Sequence, residues 1–342
     1  MSPTKTLGLI WPLRRRRVPG TEEKTTMSTE ALPRSIADLP AQHASAPNSK
    51  AAARARYFNT GNAFNLQLPP VPEESFTAEP AAALRAETPT GLIACDRSNA
   101  LGCAFPATTP LILARYAKIR AGETLETHFA ASGVIAYAIA GSGSTQCGDE
   151  KIDWHPGDTF VLPGGVGHVH RANGADAVLW IVTNEPQLAF ENLRPPQAGQ
   201  APTDLVHFTA DEILRQIDLL YRVGRGNDIA GSALIFSSER QEASRNVLPT
   251  LTVAMNSLPA GKTQRSHRHN SVAVSLVIQG ENCHSIVDGR RKDWSQWATT
   301  ITPATSFHSH HNGGDQTAMF LIVQDGGIYY HARALGFEFA AA

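Results

Sequence analysis

Short runs of apolar residues, separated by glycine, proline, asparagine and aspartate, recur along the chain from Leu111 onward. Such runs are typical of β-strands that are joined by turns. A first group begins at residues 111, 133, 159 and 177, and a second group begins at residues 250, 272 and 318. Strands at this density bury their apolar faces by closing on themselves or by stacking, so we expect an all-β protein with two small barrels or jelly rolls.

One segment between the two groups has the period of a helix instead. Apolar residues in Thr209–Leu220 recur at a spacing that fits one helical face. These residues are Ile213, Leu214, Ile217, Leu219 and Leu220. Thr209 and Glu212 are spaced like a capping box at the start of this helix. We therefore expect a short helix that braces the two groups of strands.

The patterns divide the chain into five parts. We expect a disordered leader over residues 1–56, because this part is rich in alanine, proline, serine and threonine and has little apolar periodicity. A proline-rich extended arm (57–110) follows, then a first barrel (111–190), a linker that contains the helix (191–247) and a second barrel (248–337).

The start of the chain carries an apolar patch followed by four arginines, Arg14–Arg17. A secretory signal has these two features in the opposite order. We interpret residues 1–26 as part of the disordered leader, or as a misassigned start with Met27 as the true first residue.

The second group of strands is a copy of the first. Gly122, His128 and Gly141 recur 139 residues later as Gly261, His267 and Gly280. The offset is 140 residues for three further pairs, which are Trp154/Trp294, Pro163/Pro303 and His168/His308. Landmarks that hold register over such a distance indicate a duplicated domain.

Composition narrows the possible partners and the compartment. The formal net charge of −1 over 342 residues gives no electrostatic reason to expect nucleic acid. The four cysteines form no Cys-x-x-Cys pair, which favours a reducing compartment over a disulfide framework. No apolar run is long enough for a membrane span. We therefore expect a cytoplasmic protein that binds neither nucleic acid nor membranes.

Histidines give the second barrel its candidate chemistry. His267 and His269 alternate along a predicted strand, so both side chains point to one face, and His308 arrives from a later strand. Three ligands on one side of a metal ion leave the other side open, as in catalytic rather than structural metal sites. We predict a metal site at His267, His269 and His308.

The same parity suggests neighbours for the metal. His310 shares the face of His308, whereas His311 does not, and Arg265 shares the face of His267. We expect His310 to act as a catalytic group that moves a proton to or from a substrate, since its ordinary pKa lies near neutrality. Arg265 is a candidate partner for a substrate carboxylate, and Gln279 and Trp297 are candidates for the lining of the pocket.

These motifs resemble those of the cupin superfamily. The first cupin motif, Gly-x5-His-x-His-x3,4-Glu-x6-Gly, matches at Gly261, His267, His269 and Gly280, and the second matches at Pro303, His308 and Asn312. Thr305 replaces a motif glycine. No acid occupies the motif's glutamate position, which Ser271, Val272, Ala273 and Val274 surround. The resemblance implies two tandem cupin barrels.

Within that superfamily the chain resembles bicupins of the gentisate 1,2-dioxygenase type, which lack the glutamate and hold Fe(II) with three histidines. The resemblance rests on the segment from Ser266 to Glu281, on Ile286–Gly289 with Asp293-Trp294, and on the tail Ala334–Phe337. It implies extradiol-type cleavage of a hydroxylated aromatic ring, of the gentisate, salicylate or hydroquinone class, by Fe(II) and dioxygen. It also implies a homo-oligomer, a dimer or a tetramer.

The first barrel departs from the pattern because Ala130 stands where the second ligand belongs. His128, His168 and His170 are interpreted as a possible vestigial site in a barrel that is otherwise structural. Two other functions fit the same motifs. One is a non-oxidative metal-dependent isomerase or lyase, and the other is a non-catalytic bicupin that binds a small molecule.

Overall fold

The computed structural model describes residues 33–223 and 232–341, which divide into two units between Gln67 and Leu68. In the first unit two short strands, β1 (Gln42–His43) and β2 (Arg56–Tyr57), pair antiparallel. A 3-10 helix (Ile36–Asp38) and α1 (Lys50–Ala53) complete it.

The predicted disordered leader lies outside the described residues as far as residue 32. Its remainder, 33–56, contains short ordered elements. Ser35 and Ser49 accept hydrogen bonds from the backbone amides that begin the 3-10 helix and α1. Such capping satisfies orphan N–H groups at a helix start, a local signal that average composition does not reveal.

The second unit begins with residues 68–110, the larger part of the predicted arm. It contains four elements: β3 (Ser75–Phe76), α2 (Ala78–Leu84), β4 (Gly91–Ala94) and α3 (Ser98–Leu101).

The first barrel follows, and two long strands form its frame. β7 (Gly133–Cys147) and β10 (His168–Thr183) pair antiparallel over most of their length, with a register shift between Asn173 and Leu179. The other elements are β5 (Leu113–Ile119), β6 (Thr124–Thr127), β8 (Glu150–Trp154), β9 (Thr159–Pro163), α4 (Glu185–Phe190) and β11 (Val206–Phe208). The sheet order is β11-β9-β7-β10-β5-β4, with β6 beside β10 and β8 beside β7.

The predicted helix is α5 (Ala210–Val223). Its buried side chains are Ile213 and Ile217, whereas Leu214, Leu219 and Leu220 are exposed. Glu212 does not close a capping box, because its carboxylate binds Arg215 and Gln216. Asp158 of the first barrel accepts from the Ala210 amide at 2.7 Å instead, which ties the start of the helix to that barrel.

The second barrel consists of two antiparallel sheets. Its elements are β12 (Ser232–Phe236), a 3-10 helix (Glu239–Gln241), β13 (Thr252–Leu258), β14 (His267–His269), β15 (Ala273–Gln279), β16 (Cys283–Val287), β17 (Arg290–Asp293), β18 (Thr299–Thr302), β19 (His308–Asn312), β20 (Ala318–Gln324), α6 (Gly326–Ala332) and β21 (Phe337–Phe339). One sheet has the order β12-β13-β20-β15-β18-β3 and the other has the order β17-β16-β19-β14-β21. The prediction of two tandem cupin barrels is confirmed.

The arm joins both barrels by strand pairing. β3 pairs with β18 of the second barrel, and β4 pairs with β5 of the first. Both sheets thereby gain an additional strand at an edge, where unpaired N–H and C=O groups are otherwise open to association.

The largest apolar core lies between the barrels. It includes Tyr116 and Trp180 of the first barrel and Val253, Leu276 and Val323 of the second. A separate core fills the interior of the first barrel. None of the helices among the described residues combines the length and the apolar character that crossing a membrane requires.

Candidate metal centre

Three histidine rings of the second barrel converge. The ligand nitrogens of His267, His269 and His308 all lie within 4.8 Å of one another. The ring centroids of His267 and His308 are 4.3 Å apart, and those of His269 and His308 are 4.9 Å apart. Strand pairing of His267 with His308 brings β14 and β19 together at this point.

Backbone carbonyls fix the tautomer of each ring. Nδ1 of His267 lies 2.9 Å from the carbonyl oxygen of Arg265, Nδ1 of His269 lies 2.9 Å from that of Ser271, and Nδ1 of His308 lies 2.9 Å from that of Ser306. A carbonyl oxygen only accepts, so each Nδ1 carries the proton and each neutral ring keeps a lone pair on Nε2. Such bonds to the far ring nitrogen are typical of metal-ligating histidines.

Burial keeps these rings neutral. Desolvation lowers the pKa of His267 and of His269, and it lowers the pKa of His308 to about 3, where the neighbouring His267 adds a smaller effect in the same direction. A metal binds the unprotonated ring, so the three Nε2 atoms are ready as ligands at neutral pH.

The rings line a cavity of about 420 Å³. The other side chains that line it include both polar and apolar groups. None of those among the described residues carries a carboxylate or an ammonium group. They are Ala233, Ile235, Thr252, Ala254, Asn256, Gln264, Ser271, Ala273, Ser275, Thr302, His310, Ile322, Gln324, Gly326, Tyr330, Leu335 and Phe337.

The first barrel has a filled interior at the corresponding positions. Val134, Ala136 and Leu162 belong to its apolar core. At the offsets of 139 and 140 residues their counterparts are Ala273, Ser275 and Thr302, which line the cavity of the second barrel. The duplicated sheets therefore enclose a filled apolar core in one copy and a cavity with both polar and apolar walls in the other.

The histidines of the first barrel do not converge. His128 is exposed, whereas His168 and His170 are buried. Nε2 of His168 lies 3.0 Å from the Pro163 carbonyl, and both nitrogens of His170 contact threonine hydroxyls. Among the described residues, the only group of three or more potential ligands that meets is the one in the second barrel.

His310 lies beside the three rings. It lines the cavity, and its centroid is 5.8 Å from that of His308. Nδ1 is 2.8 Å from the Ser285 hydroxyl, which also accepts the indole N–H of Trp294 at 2.8 Å. Burial lowers the pKa of His310 well below its ordinary value. His311 points elsewhere and stacks on His284, as the alternation of the strand predicts.

Arg265 does not enter the cavity. Its guanidinium lies 4.2 Å from the centroid of the Phe339 ring and reaches towards the Ala340 carbonyl. The alternation assumed for Arg265 fails because β14 begins only at His267. Ahead of that strand it is Gln264 that faces the cavity.

The other two residues expected near the pocket also lie away from it. Gln279 is exposed and donates to the Thr317 carbonyl at the opposite end of β15 from His269. Trp297 packs between the barrels, where its ring is 6.4 Å from that of Tyr137 and its carbonyl accepts from the Tyr116 hydroxyl. The backbone of Trp297 is left-handed (φ 65°), and the residue lies in the turn between β17 and β18.

Thr305 forms the turn that presents His308. Its φ of 65° is left-handed, and its counterpart Gly165 has a φ of 77°. The Thr305 amide donates to the His269 carbonyl at 2.7 Å, so this turn ties the loop before β19 to the end of β14.

Four of the lining residues that the sequence did not predict bear most on the chemistry of the cavity, and they are Asn256, Gln264, Gln324 and Phe337. Phe337 stacks on His267 with centroids 5.2 Å apart, because β21 pairs alongside β14. Oδ1 of Asn256 and Oε1 of Gln264 are buried without a hydrogen-bond partner among the described residues. A polar residue at the end of an apolar run, as in Ala318–Gln324, was the available signal for Gln324.

The donor set fits a divalent transition metal. Three neutral imidazoles with free Nε2 atoms and an adjoining open cavity suit Fe(II), Zn(II), Ni(II) or Cu(II) rather than Mg(II) or Ca(II), which prefer oxygen ligands.

Comparison with known proteins agrees with this architecture. Residues 109–196 match the family model described as Cupin. Salicylate 1,2-dioxygenase from Pseudaminobacter salicylatoxidans superposes with a TM-score of 0.67 at 13% identity, covering 81% of this chain and 91% of that protein. At this identity the likeness establishes a shared fold.

Curated relatives match over a shorter stretch. A 5-aminosalicylate 1,2-dioxygenase from Comamonas sp is 33% identical over 95 residues, which are 28% of this chain and 25% of the relative. A gentisate 1,2-dioxygenase from Ralstonia sp is 30% identical over 82 residues, which are 24% of this chain and 23% of the relative. The chain thus matches about a quarter of the length of these relatives. The predicted resemblance to cupin ring-cleaving dioxygenases is confirmed.

Proposed function

We propose that this two-barrel cupin protein is an Fe(II)-dependent dioxygenase that cleaves the ring of a hydroxylated aromatic compound in the extradiol manner. The observation that carries the proposal is the convergence of three neutral histidine rings, each with Nε2 free, beside a cavity of about 420 Å³. Named relatives that act on gentisate and aminosalicylate support the reaction class.

His267, His269 and His308 would hold the iron through Nε2. Iron supplies the exchange of electrons between an aromatic ring and dioxygen, which side chains alone do not provide. Neutral ligands leave the full charge of the ion to attract a phenolate with an adjacent carboxylate or second hydroxyl. The backbone bonds at Nδ1 hold the rings in place while substrate enters.

Asn256 and Gln264 would orient the substrate. Their buried amide oxygens have no partner among the described residues, and an unsatisfied buried acceptor is costly unless it meets a donor. Ring hydroxyl or amino groups are such donors, so these residues favour a polar aromatic over an unsubstituted one. Gentisate, salicylate and hydroquinone types carry such hydroxyl groups and are the substrate class we propose.

His310 would hold or move a proton. With Nδ1 bonded to Ser285, the other ring nitrogen remains for the cavity. Burial lowers the pKa of His310 well below its ordinary value, so the ring is neutral at pH 7 and carries one proton that it can share with a substrate oxygen.

The first barrel would be a structural partner with no metal, and the protein would work as a homo-oligomer in the cytoplasm. A filled interior and the dispersed histidines favour a structural role for the first barrel. The four cysteines are free thiols, which suits a reducing compartment.

The decisive experiment is oxygen consumption by Fe(II)-loaded protein with gentisate, salicylates, hydroquinone and 1-hydroxy-2-naphthoate. We expect one oxygen molecule per substrate and a ring-opened product that carries both atoms of labelled dioxygen, with no uptake by a His308→Ala variant. Purified protein that contains zinc, nickel or manganese and consumes no oxygen would favour the isomerase or lyase. Protein that binds no metal at all would favour the binding bicupin.

A further inference from the structure

Gln324 lies on the strand next to Ala273, the position at which the first cupin motif would carry its glutamate. It is the last residue of β20, and its register partner on β15 is Ala273. Ala273 follows His269 at the spacing at which the first motif carries glutamate. The Gln324 side chain lines the cavity, so a carboxamide lies across from the position of the absent carboxylate.

The carboxamide already contacts the ligand nitrogen of one histidine. Nε2 of Gln324 lies 3.1 Å from Nε2 of His269. Because Nδ1 of His269 donates to the Ser271 carbonyl, its Nε2 is an acceptor, and the amide NH2 donates to it. A metal ion on His269 uses the same lone pair. An ion on that lone pair displaces the amide N–H, and rotation about Cγ–Cδ of Gln324 turns Oε1 towards the ion.

The separation fits two neighbouring ligands on one ion. Metal–nitrogen and metal–oxygen bonds of about 2.1 Å at right angles put adjacent donor atoms about 3.0 Å apart. The 3.1 Å between the Gln324 and His269 side-chain atoms is within about 0.1 Å of that value.

We propose that Gln324 is the fourth protein ligand of the metal, bound through Oε1. The set becomes three imidazoles and one neutral amide oxygen, so the ion keeps its full charge. An amide oxygen is the weakest donor of the four, and it is therefore the one that a chelating substrate displaces. This inference rests on the metal site of the proposed function but not on the reaction.

The test compares Gln324→Leu and Gln324→Glu with the native protein after chelator treatment. Gln324→Leu removes the oxygen donor, and Gln324→Glu supplies the carboxylate of the full motif. The matched control is Gln146→Leu, another half-buried glutamine on a strand, which lies in the first barrel. Co(II) is the probe, because the intensity of its visible absorption reports coordination number. Affinity is measured by competition with a chelator.

We expect Gln324→Leu to weaken Co(II) binding roughly tenfold or more and to change the absorption spectrum. Gln324→Glu should bind Co(II) more tightly than the native protein, and Gln146→Leu should match the native protein. Circular dichroism checks that each variant folds. Tighter binding of Gln324→Glu cannot come from misfolding and shows that a side chain at position 324 reaches the ion, so that variant tests the placement even if Gln324→Leu is unstable.

Native affinity and an unchanged spectrum in Gln324→Leu would overturn the ligand proposal, as would weaker binding by Gln324→Glu. The outcome for the reaction is separate. If affinity and spectrum change as expected while iron-loaded native protein consumes no oxygen with any of the aromatics, Gln324 stands as a ligand and the dioxygenase proposal fails.

Discussion

His170 and His310 occupy equivalent places in the two barrels and make the same hydrogen-bond chain. Nδ1 of each ring meets a hydroxyl, that of Thr145 at 2.9 Å or that of Ser285 at 2.8 Å. The same hydroxyl accepts an indole N–H, from Trp154 at 3.0 Å or from Trp294 at 2.8 Å. The duplication thus extends to a buried polar network. The copies differ at Nε2, which the Thr127 hydroxyl contacts in the first barrel.

Removing the Ser285 or the Thr145 hydroxyl should separate the effect of these hydrogen bonds on stability from their effect on catalysis. Ser285→Ala and Thr145→Val each leave an indole N–H and an imidazole nitrogen without their partner, so each should lower the free energy of unfolding by about 1–3 kcal/mol in urea denaturation. Only Ser285→Ala should also lower kcat, since of these two histidines His310 lines the cavity and His170 does not. An equal loss of kcat in both variants would mean that these hydrogen bonds affect activity only through the stability of the fold.

Metal stoichiometry should distinguish the barrels. We expect one Fe(II) per chain in the native protein and none in His308→Ala, because a ligand is lost. His168→Ala should retain one ion, since Nε2 of His168 already contacts the Pro163 carbonyl. The measurement is metal content after desalting. Two ions per native chain, with one lost in His168→Ala, would show that the first barrel holds its own metal.

Acid should destabilise the protein through His170. Burial lowers the pKa of this ring to about 3, whereas the unfolded chain titrates near 6.5. Between these values the unfolded state binds more protons, so stability is complete above pH 6.5 and falls as the pH drops towards 3. His170→Gln should reduce this pH dependence by about 1.4 kcal/mol per pH unit between pH 6 and 4. Parallel profiles of unfolding free energy for both proteins would contradict the assignment.

Thr305 should cost stability through its left-handed backbone. β-branched residues disfavour a positive φ, whereas glycine adopts it freely. Thr305→Gly should raise the free energy of unfolding by about 1 kcal/mol, and Thr305→Ala, which keeps a Cβ, should raise it less. Thermal and urea unfolding provide the measurement. A stabilisation by alanine equal to that by glycine would assign the effect to the threonine side chain.

Much of the fold was predictable because it depends on patterns that are local or repeated. The 139–140-residue offset predicted the duplication, and the strand period predicted that His267, His269 and His308 share a face. The period of Thr209–Leu220 predicted α5. Fewer of its apolar side chains are buried than expected, because the helix packs through Ile213 and Ile217 only.

The remainder of the site depends on relationships that one strand does not contain. The face of Arg265 followed from alternation only if the strand began before it, and β14 begins at His267. Gln324 reaches the metal centre through its register with Ala273, a pairing between distant segments. Phe337 arrives on a strand that pairs with β14 only in the folded chain. Periodicity predicts the direction of a side chain within a strand, but not the strand that will lie beside it.

One hydroxyl of the second barrel binds two buried side chains of the first. Thr299 of the second barrel is bonded by Tyr116 at 2.7 Å and by Trp180 at 2.9 Å, both from the first. Isolating the first half would leave its two buried groups without this partner, and isolating either half would expose the apolar face around them. Each copy of the repeat thus supplies surface that the other buries. Mutations that destabilise the first barrel should therefore also weaken the packing of the barrel that carries the three histidines.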